Sequence, residues 1–231
     1  MFSKAFPAFV LAASFLSVGA IPTPAPVSPC AAVHIIAARG STEAPGAGSI
    51  GAIVTEVQTK STQTVSTSAV DYPATLTNYA SSSAQGTKAT IALLTSQAQA
   101  CPNQKIVLVG YSQGAHVVGD ALAGGGGVSG LGAATPPIAA SIASRVTAVV
   151  QLGDPRHIPA QPYDRGTSKN AGLFPRQPNQ QYSAILQPRI QSFCDNGDPF
   201  CDSGSNLQVH LTYLDRYQDT ASQFILQQIG G

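Results

Sequence analysis

Charge is scarce in this chain. Twelve Lys and Arg stand against eleven Asp and Glu in 231 residues, so 10% of positions are charged and the formal net charge is +1. No basic surface for nucleic acid or anionic lipid is implied, and the polar exterior has to come from Ser, Thr, Gln and Asn. Long apolar runs are also missing. The stretch Ala5 to Ala20 is too short and too rich in Ala and Ser for a comfortable membrane span, and nothing later is longer. No Asn-x-Ser/Thr sequon is present, so N-glycosylation is not expected. The Ser/Thr-rich stretch from Thr59 to Ser68 reads as a solvated helix-to-strand connection, with O-linked sugar the alternative.

The first twenty residues carry a different signal. Lys4 gives a basic start, an apolar core follows, and Val18-Gly19-Ala20 supplies small residues at a cleavage site. A signal peptide over 1–20 and a secreted, extracellular mature chain are expected. Prolines at 22, 24, 26 and 29 keep 21–29 extended, and 30–231 fits one domain. Four cysteines in that setting suggest two disulfides, with three pairings formally open. Cys194 and Cys201 can close a small local loop. Cys30 and Cys101 each precede an apolar run, Ile35-Ile36-Ala37-Ala38 and Ile106-Val107-Leu108-Val109, by five residues. If those runs are parallel neighbours, about 4.8 Å apart, their cysteines meet side by side. The pairing Cys30–Cys101 and Cys194–Cys201 is favoured.

Strand-like segments recur at 32–38, 64–71, 105–111, 147–152 and 189–193, and helix-like ones at 49–60, 79–100, 113–123, 137–145 and 214–229. Their alternation predicts an α/β fold, a mostly parallel sheet covered on both faces. The segment from Pro155 to Pro188 breaks the rhythm and reads as an ordered excursion near the site.

The run from Lys105 to Val109 ends in Gly110-Tyr111-Ser112-Gln113-Gly114, and a helix-competent segment follows. Gly-x-Ser-x-Gly alone arises easily by chance in a chain this rich in Gly and Ser; the strand before it and the helix after it give it weight. A strand feeding a helix through two glycines forces a tight turn that strains the central residue and pushes its side chain out above the sheet. Ser112 is therefore the candidate nucleophile. A serine hydroxyl attacks only when a base takes its proton, and the base needs an acid to fix its tautomer. Four histidines compete. His34 lies within a strand, His116 is one turn along the helix and turned away, and His157 could line the rim. His210 sits in a loop before the last helix and completes the order Ser…Asp…His, which favours it. Asp198 and Asp154 are rivals for the acid. Asp198 falls inside the ring that Cys194–Cys201 would close and is favoured, whereas Asp154, Asp195 and Asp202 read as turn or cap residues. Donors for a tetrahedral oxyanion would be the backbone N–H of Gln113 and Ser41 in the loop after the first strand.

The segments Ala38-Arg39-Gly40-Ser41-Thr42-Glu43, Gly110 to Ala115, Cys194…Asp198…Cys201 and His210-Leu211-Thr212-Tyr213 together resemble the fungal cutinases and the related acetylxylan esterases, from about Cys30 to the C-terminus. The resemblance implies a lidless, three-layer α/β-hydrolase with a five-stranded parallel sheet in flavodoxin-like order. It implies a Ser112–Asp198–His210 triad, an oxyanion hole from Ser41 and Gln113, and the same two disulfides. A secreted serine esterase working through an acyl-enzyme, with no metal or organic cofactor, is expected. The two branches pull differently. Arg39-Gly40-Ser41-Thr42-Glu43 and the four cysteines are similar to cutinases; Gly153-Asp154-Pro155-Arg156 and Pro162-Tyr163-Asp164-x-Gly166-Thr167 are similar to acetylxylan esterases. Leu207 and Val209, with Asn206 and Gln208 interleaved, are candidate substrate-binding residues forming the apolar wall of an acyl groove. The expected partner is an ester substrate, short- to medium-chain acyl esters including plant cuticle polyester. Acetyl on xylan is the alternative, and a catalytically silent surface-binding or signalling protein is the alternative of another class. A monomer is expected.

Overall fold

Three apolar runs, buried along nearly their whole length, make the centre of the sheet. In the computed structural model, which describes residues 1–2 and 30–230, these are β1 (Val33–Ala38), β3 (Lys105–Tyr111) and β4 (Val146–Leu152). The expected signal peptide and proline-rich segment lie outside the described residues, Met1 and Phe2 apart. Burial on both faces is what continuous Val/Ile/Leu runs require, and it needs helices above and below. Between β1 and β3 in the chain come α1 (Gly51–Lys60), β2 (Val65–Ala69) and α2 (Tyr79–Ala100). After β3 come α3 (Gln113–Ala123) and α4 (Ala140–Ala143), and after β4 come β5 (Asp164–Arg165), β6 (Ile190–Phe193), α5 (Leu207–Leu211) and α6 (Tyr213–Ile229).

The spatial order is β2-β1-β3-β4-β6-β5, with every neighbouring pair parallel. Without β5 this is the expected order, so the correction is one of number: six strands, not five. The addition is a two-residue piece of the excursion, Asp164 and Arg165, paired with Ser192 and Phe193 at the sheet edge. Two polar residues carry no periodicity to read. Side chains alternate between the two faces, as the pleat dictates. Ile36, Ile106 and Leu108 pack towards α2 and α3, while Ile35, Val107 and Val109 pack towards α1 and α6. All six are shielded completely, each contributing roughly 1.5–3 kcal/mol. The helix expected over 137–145 shrinks to the single turn α4, because Ala139 is extended (φ −52°, ψ 135°). No described helix is long and apolar enough to cross a membrane. Cys30–Cys101 and Cys194–Cys201 are both bridged, with Cα–Cα distances of 5.8 and 5.9 Å. The parallel pairing of β1 with β3 that the first required is present.

The excursion between β4 and β6 is fastened by buried ions. Arg156 Nε and Arg176 Nη1 donate to Asp120 Oδ1 at 3.1 and 2.9 Å, Arg176 Nη2 reaches Asp154 Oδ2 at 3.4 Å, and His116 Nε2 lies 3.0 Å from Asp120 Oδ2. Tyr182 Oη donates to Gln151 Oε1 at 2.9 Å, and Gln180 Oε1 accepts from Arg156 Nη2 at 2.6 Å. Burial alone would raise the Asp120 carboxyl; interactions with His116, Arg176 and Arg156 outweigh it and hold the group well below the usual carboxylate range. Asp154 Oδ1 accepts from the Arg156 N–H at 2.9 Å, the turn role the sequence suggested, with an ion pair added. Asp120→Ala would leave two guanidinium groups buried without their shared counter-charge. We expect it to cost about 3–5 kcal/mol, read as a lower denaturant midpoint at unchanged m. A loss below about 1 kcal/mol would show that the cluster does not hold the excursion.

Candidate active site

Ser112 sits between β3 and α3 with φ 54° and ψ −118°. This region is costly for an L-residue with a side chain, so the surroundings must over-determine it. The Ser112 N–H donates to Leu152 O at 2.8 Å, locking the turn to the end of β4. The two flanking glycines serve close packing. A Cβ on Gly114 would lie 1.9 Å from Ala38 O, and one on Gly110 would lie 2.5 Å from Gly114 O. Gln113 opens α3, where a backbone N–H has no partner within the helix. Its fully buried side chain is pinned, accepting from Ser82 Oγ at 2.9 Å and donating to Thr75 O at 3.0 Å.

His210 Nε2 lies 2.9 Å from Ser112 Oγ, and His210 Nδ1 lies 2.7 Å from Asp198 Oδ2. Asp198 is completely buried, and its Oδ1 accepts from the N–H groups of Phe200 at 2.7 Å and Cys201 at 3.1 Å, inside the disulfide ring. Phe200 (ring centroid 4.5 Å) and Tyr111 (5.2 Å) pack against the imidazole, and Tyr111 Oη donates to His210 O at 3.1 Å. The other histidines are engaged elsewhere. His34 bonds Ser66, His116 bonds Asp120 and Tyr79, and His157 lies 3.7 Å from Asp164.

His210 belongs to a short helix, not to the expected loop. Asn206 caps it, its side chain accepting from Gln208 N at 3.1 Å. The helix also corrects the substrate-wall reading. Alternation would put Leu207 and Val209 on one face, but helical spacing groups Leu207 with His210 and Leu211. Leu207 and Leu211 line the cavity at Ser112; Val209 does not, and its carbonyl accepts from Arg216 at 2.8 Å.

That cavity has a volume of about 560 Å³ and is walled by Leu76, Tyr79, Leu173, Phe174, Phe200 and the two α5 leucines. Ser41 lines it as well; its Oγ is buried with no hydrogen-bond partner. The loop carrying Ser41 is stapled by Glu43, which accepts from Gly40 N at 2.6 Å and Ser49 N at 2.9 Å. Sequence reasoning missed most of this wall. Leu76, Leu173 and Phe174 lie in irregular segments, where no periodicity marks a side chain as facing a site. Among the described residues no group of three or more His, Cys, Asp or Glu is placed to hold a metal ion.

The cutinase family model matches residues 29–229. Cutinase 11 of Verticillium dahliae is 35% identical over 204 residues, which cover 85% of this chain and 68% of that protein. Acetylxylan esterase 2 of Talaromyces purpureogenus is 34% identical over 231 residues, covering 95% and 97%. The solved catalytic core domain of acetyl xylan esterase from Trichoderma reesei superposes with a TM-score of 0.79 at 34% identity, over 87% of this chain and 100% of that one. The likeness extends from the first cysteine to the end of α6 and is not confined to the serine turn; the chain belongs to the cutinase family and is a carboxylic ester hydrolase.

Proposed function

We propose that Ser112, His210 and Asp198 are the catalytic triad of a secreted serine esterase for short- to medium-chain acyl esters. One observation carries the reading: an unbroken hydrogen-bond chain, 2.9 and 2.7 Å, from a partly exposed serine to a buried carboxylate, opening on an apolar cavity. Ser112 Oγ attacks the ester carbonyl while His210 Nε2 takes its proton. Asp198 holds the Nδ1–H tautomer and stabilises the imidazolium. Negative charge gathers on the carbonyl oxygen and is met by the N–H of Gln113 and by Ser41. Collapse expels the alcohol, which takes the proton from His210, and water then releases the acid by the same route.

A cavity of about 560 Å³ lies within the usual range for small-molecule sites. An acetyl group would leave most of this leucine-lined wall empty, which supports a longer acyl chain. The polyester of plant cuticle is the polymer we favour. A second reading, acetyl removal from xylan, draws on Gly153-Asp154-Pro155-Arg156 and on the likeness to the Trichoderma reesei enzyme. Two disulfides support an oxidising, extracellular setting.

Ser112→Ala is expected to lower kcat about 10⁶-fold and Asp198→Asn about 10⁴-fold; near-normal turnover in either variant would sink the mechanism. Rates on acetyl, butyryl and octanoyl esters of one phenol should peak beyond acetyl. A sharp acetyl preference, with acetate released from acetylated xylan, would decide for the second reading. Burial pushes the Asp198 carboxyl up, but the hydrogen bond and charge of His210, with the Phe200 and Cys201 N–H groups, bring it below its ordinary value. A depressed folded-state pKa gives stability that is complete above the unfolded carboxylate value, about 4, and lost as pH falls below it. Acid unfolding should therefore shift towards neutral pH less in Asp198→Asn than a uniform destabilisation predicts. Parallel acid-unfolding curves for the two proteins would refute this linkage.

A further inference from the structure

The far edge of the sheet holds a group of cations that the esterase chemistry does not use. Lys105 opens β3, Arg145 precedes β4 and Arg189 precedes β6. Seven residues of β3 separate this edge from Ser112, roughly 23 Å. Short ties draw the three together. Arg145 Nη2 donates to Gln104 O at 3.3 Å, and Arg189 Nη1 donates to Ser144 O at 3.0 Å and Val146 O at 2.7 Å. Lys105 Nζ donates to Gln63 Oε1 at 3.1 Å and Ile229 O at 2.6 Å. Each of these acceptors is neutral, and among the described residues none of the three cations forms an ion pair.

Three of the twelve Lys and Arg in the chain thus stand together at one edge with no acid paired to them among the described residues, which makes a local positive field. They line a cavity of about 400 Å³ whose lining, among the described residues, contains no Asp or Glu. Arg145 Nε is buried behind the cavity wall, so it is the outer nitrogens of this guanidinium, one of them on Gln104 O, that a ligand would meet. A guanidinium fork beside an ammonium selects an oxyanion, with a planar carboxylate fitting the fork best. The rest of the lining is Asn103, Thr147 and Gln228, hydrogen-bonding groups suited to hydroxyls, with Gln104 and Ser144, whose side chains are engaged with Gln97, Ala31 O and Ser141 O; no aliphatic or aromatic side chain takes part. The cavity is much larger than a bare anion needs and matches a small organic ligand.

The geometry points to a binding site for an acidic sugar, a uronate, with its carboxylate on Arg145 and its neighbouring cations and its hydroxyls on the amide and hydroxyl groups around them. The ligand is either a free uronate or a uronate unit of a polysaccharide. The site stands apart from Ser112 and does not depend on the acyl preference.

Calorimetric titration of the full chain with glucuronate, glucose, sulfate and a uronate trisaccharide tests the inference. Glucuronate is expected to bind with a Kd of about 1 mM or below, and glucose not to bind. A tighter trisaccharide identifies a polymer unit, and equal affinities a free uronate. Arg145→Gln should weaken binding at least about tenfold and Arg145→Lys, which keeps the charge but not the fork, by less. Both should hydrolyse a soluble ester at the parent rate, which also reports that they fold. Equal binding of glucose, affinity unchanged in Arg145→Gln, or a response to sulfate but not to glucuronate would overturn the assignment.

Discussion

A Cβ at position 114 would lie 1.9 Å from the carbonyl oxygen of Ala38, so the first turn of α3 can rest against the end of β1 only as glycine. That approach fixes where α3 begins. It brings the free N–H groups of the helix start beside the loop carrying Ser41, and it leaves the chain no room to turn except through a strained Ser112. Such a backbone conformation costs roughly 1–3 kcal/mol. Burial of α3 along its entire length, from Gln113 to Ala123, offsets it many times over. The strain is therefore held by packing and stays in place without substrate.

Scarcity of charge shapes the rest. Asp120, Asp154, Asp195, Asp198 and Asp202 are buried, five of the eleven acids in the chain. Each is used as a fastening. Asp120 and Asp154 clamp the excursion, and Asp202 accepts from the Lys169, Asn170 and Gly197 N–H groups. Asp195 holds Arg216 and Tyr217 of α6. Asp198 differs in having its second oxygen committed to a histidine whose other nitrogen lies within hydrogen-bond reach of Ser112. A buried carboxylate with backbone donors on one oxygen is stiff, and stiffness is what a tautomer-fixing partner needs.

The sequence made the central strands legible because burial on both faces leaves continuous apolar runs, and the order of Ser112, Asp198 and His210 along the chain was readable before their distances were. The bridged cysteines followed from the same register argument that made β1 and β3 neighbours. What stayed hidden has a common cause. The contacts of Asp120 with Arg156 and Arg176 span 36 and 56 residues, and no local pattern announces them. Two residues of β5 are too few for periodicity, and the cavity wall at Leu76, Leu173 and Phe174 comes from segments with none.

The misplacement of Val209 has a more specific origin. Four residues before a histidine can be read with period 2 or period 3.6, and interleaved polar residues at 206 and 208 favour the first reading. Asn206 decides for the second by capping a helix. The consequence is chemical as well as geometric. Helical spacing places Leu207 and Leu211 on the same face as His210, so one short turn carries both the candidate base and part of the wall that an acyl chain would touch. Changing the bulk of either leucine therefore acts on the helix that orients the imidazole. On the proposed mechanism, chain-length selectivity and proton transfer would be coupled through α5, whereas changes at Leu76 and Leu173, on separate loops, would alter the wall without moving the candidate base.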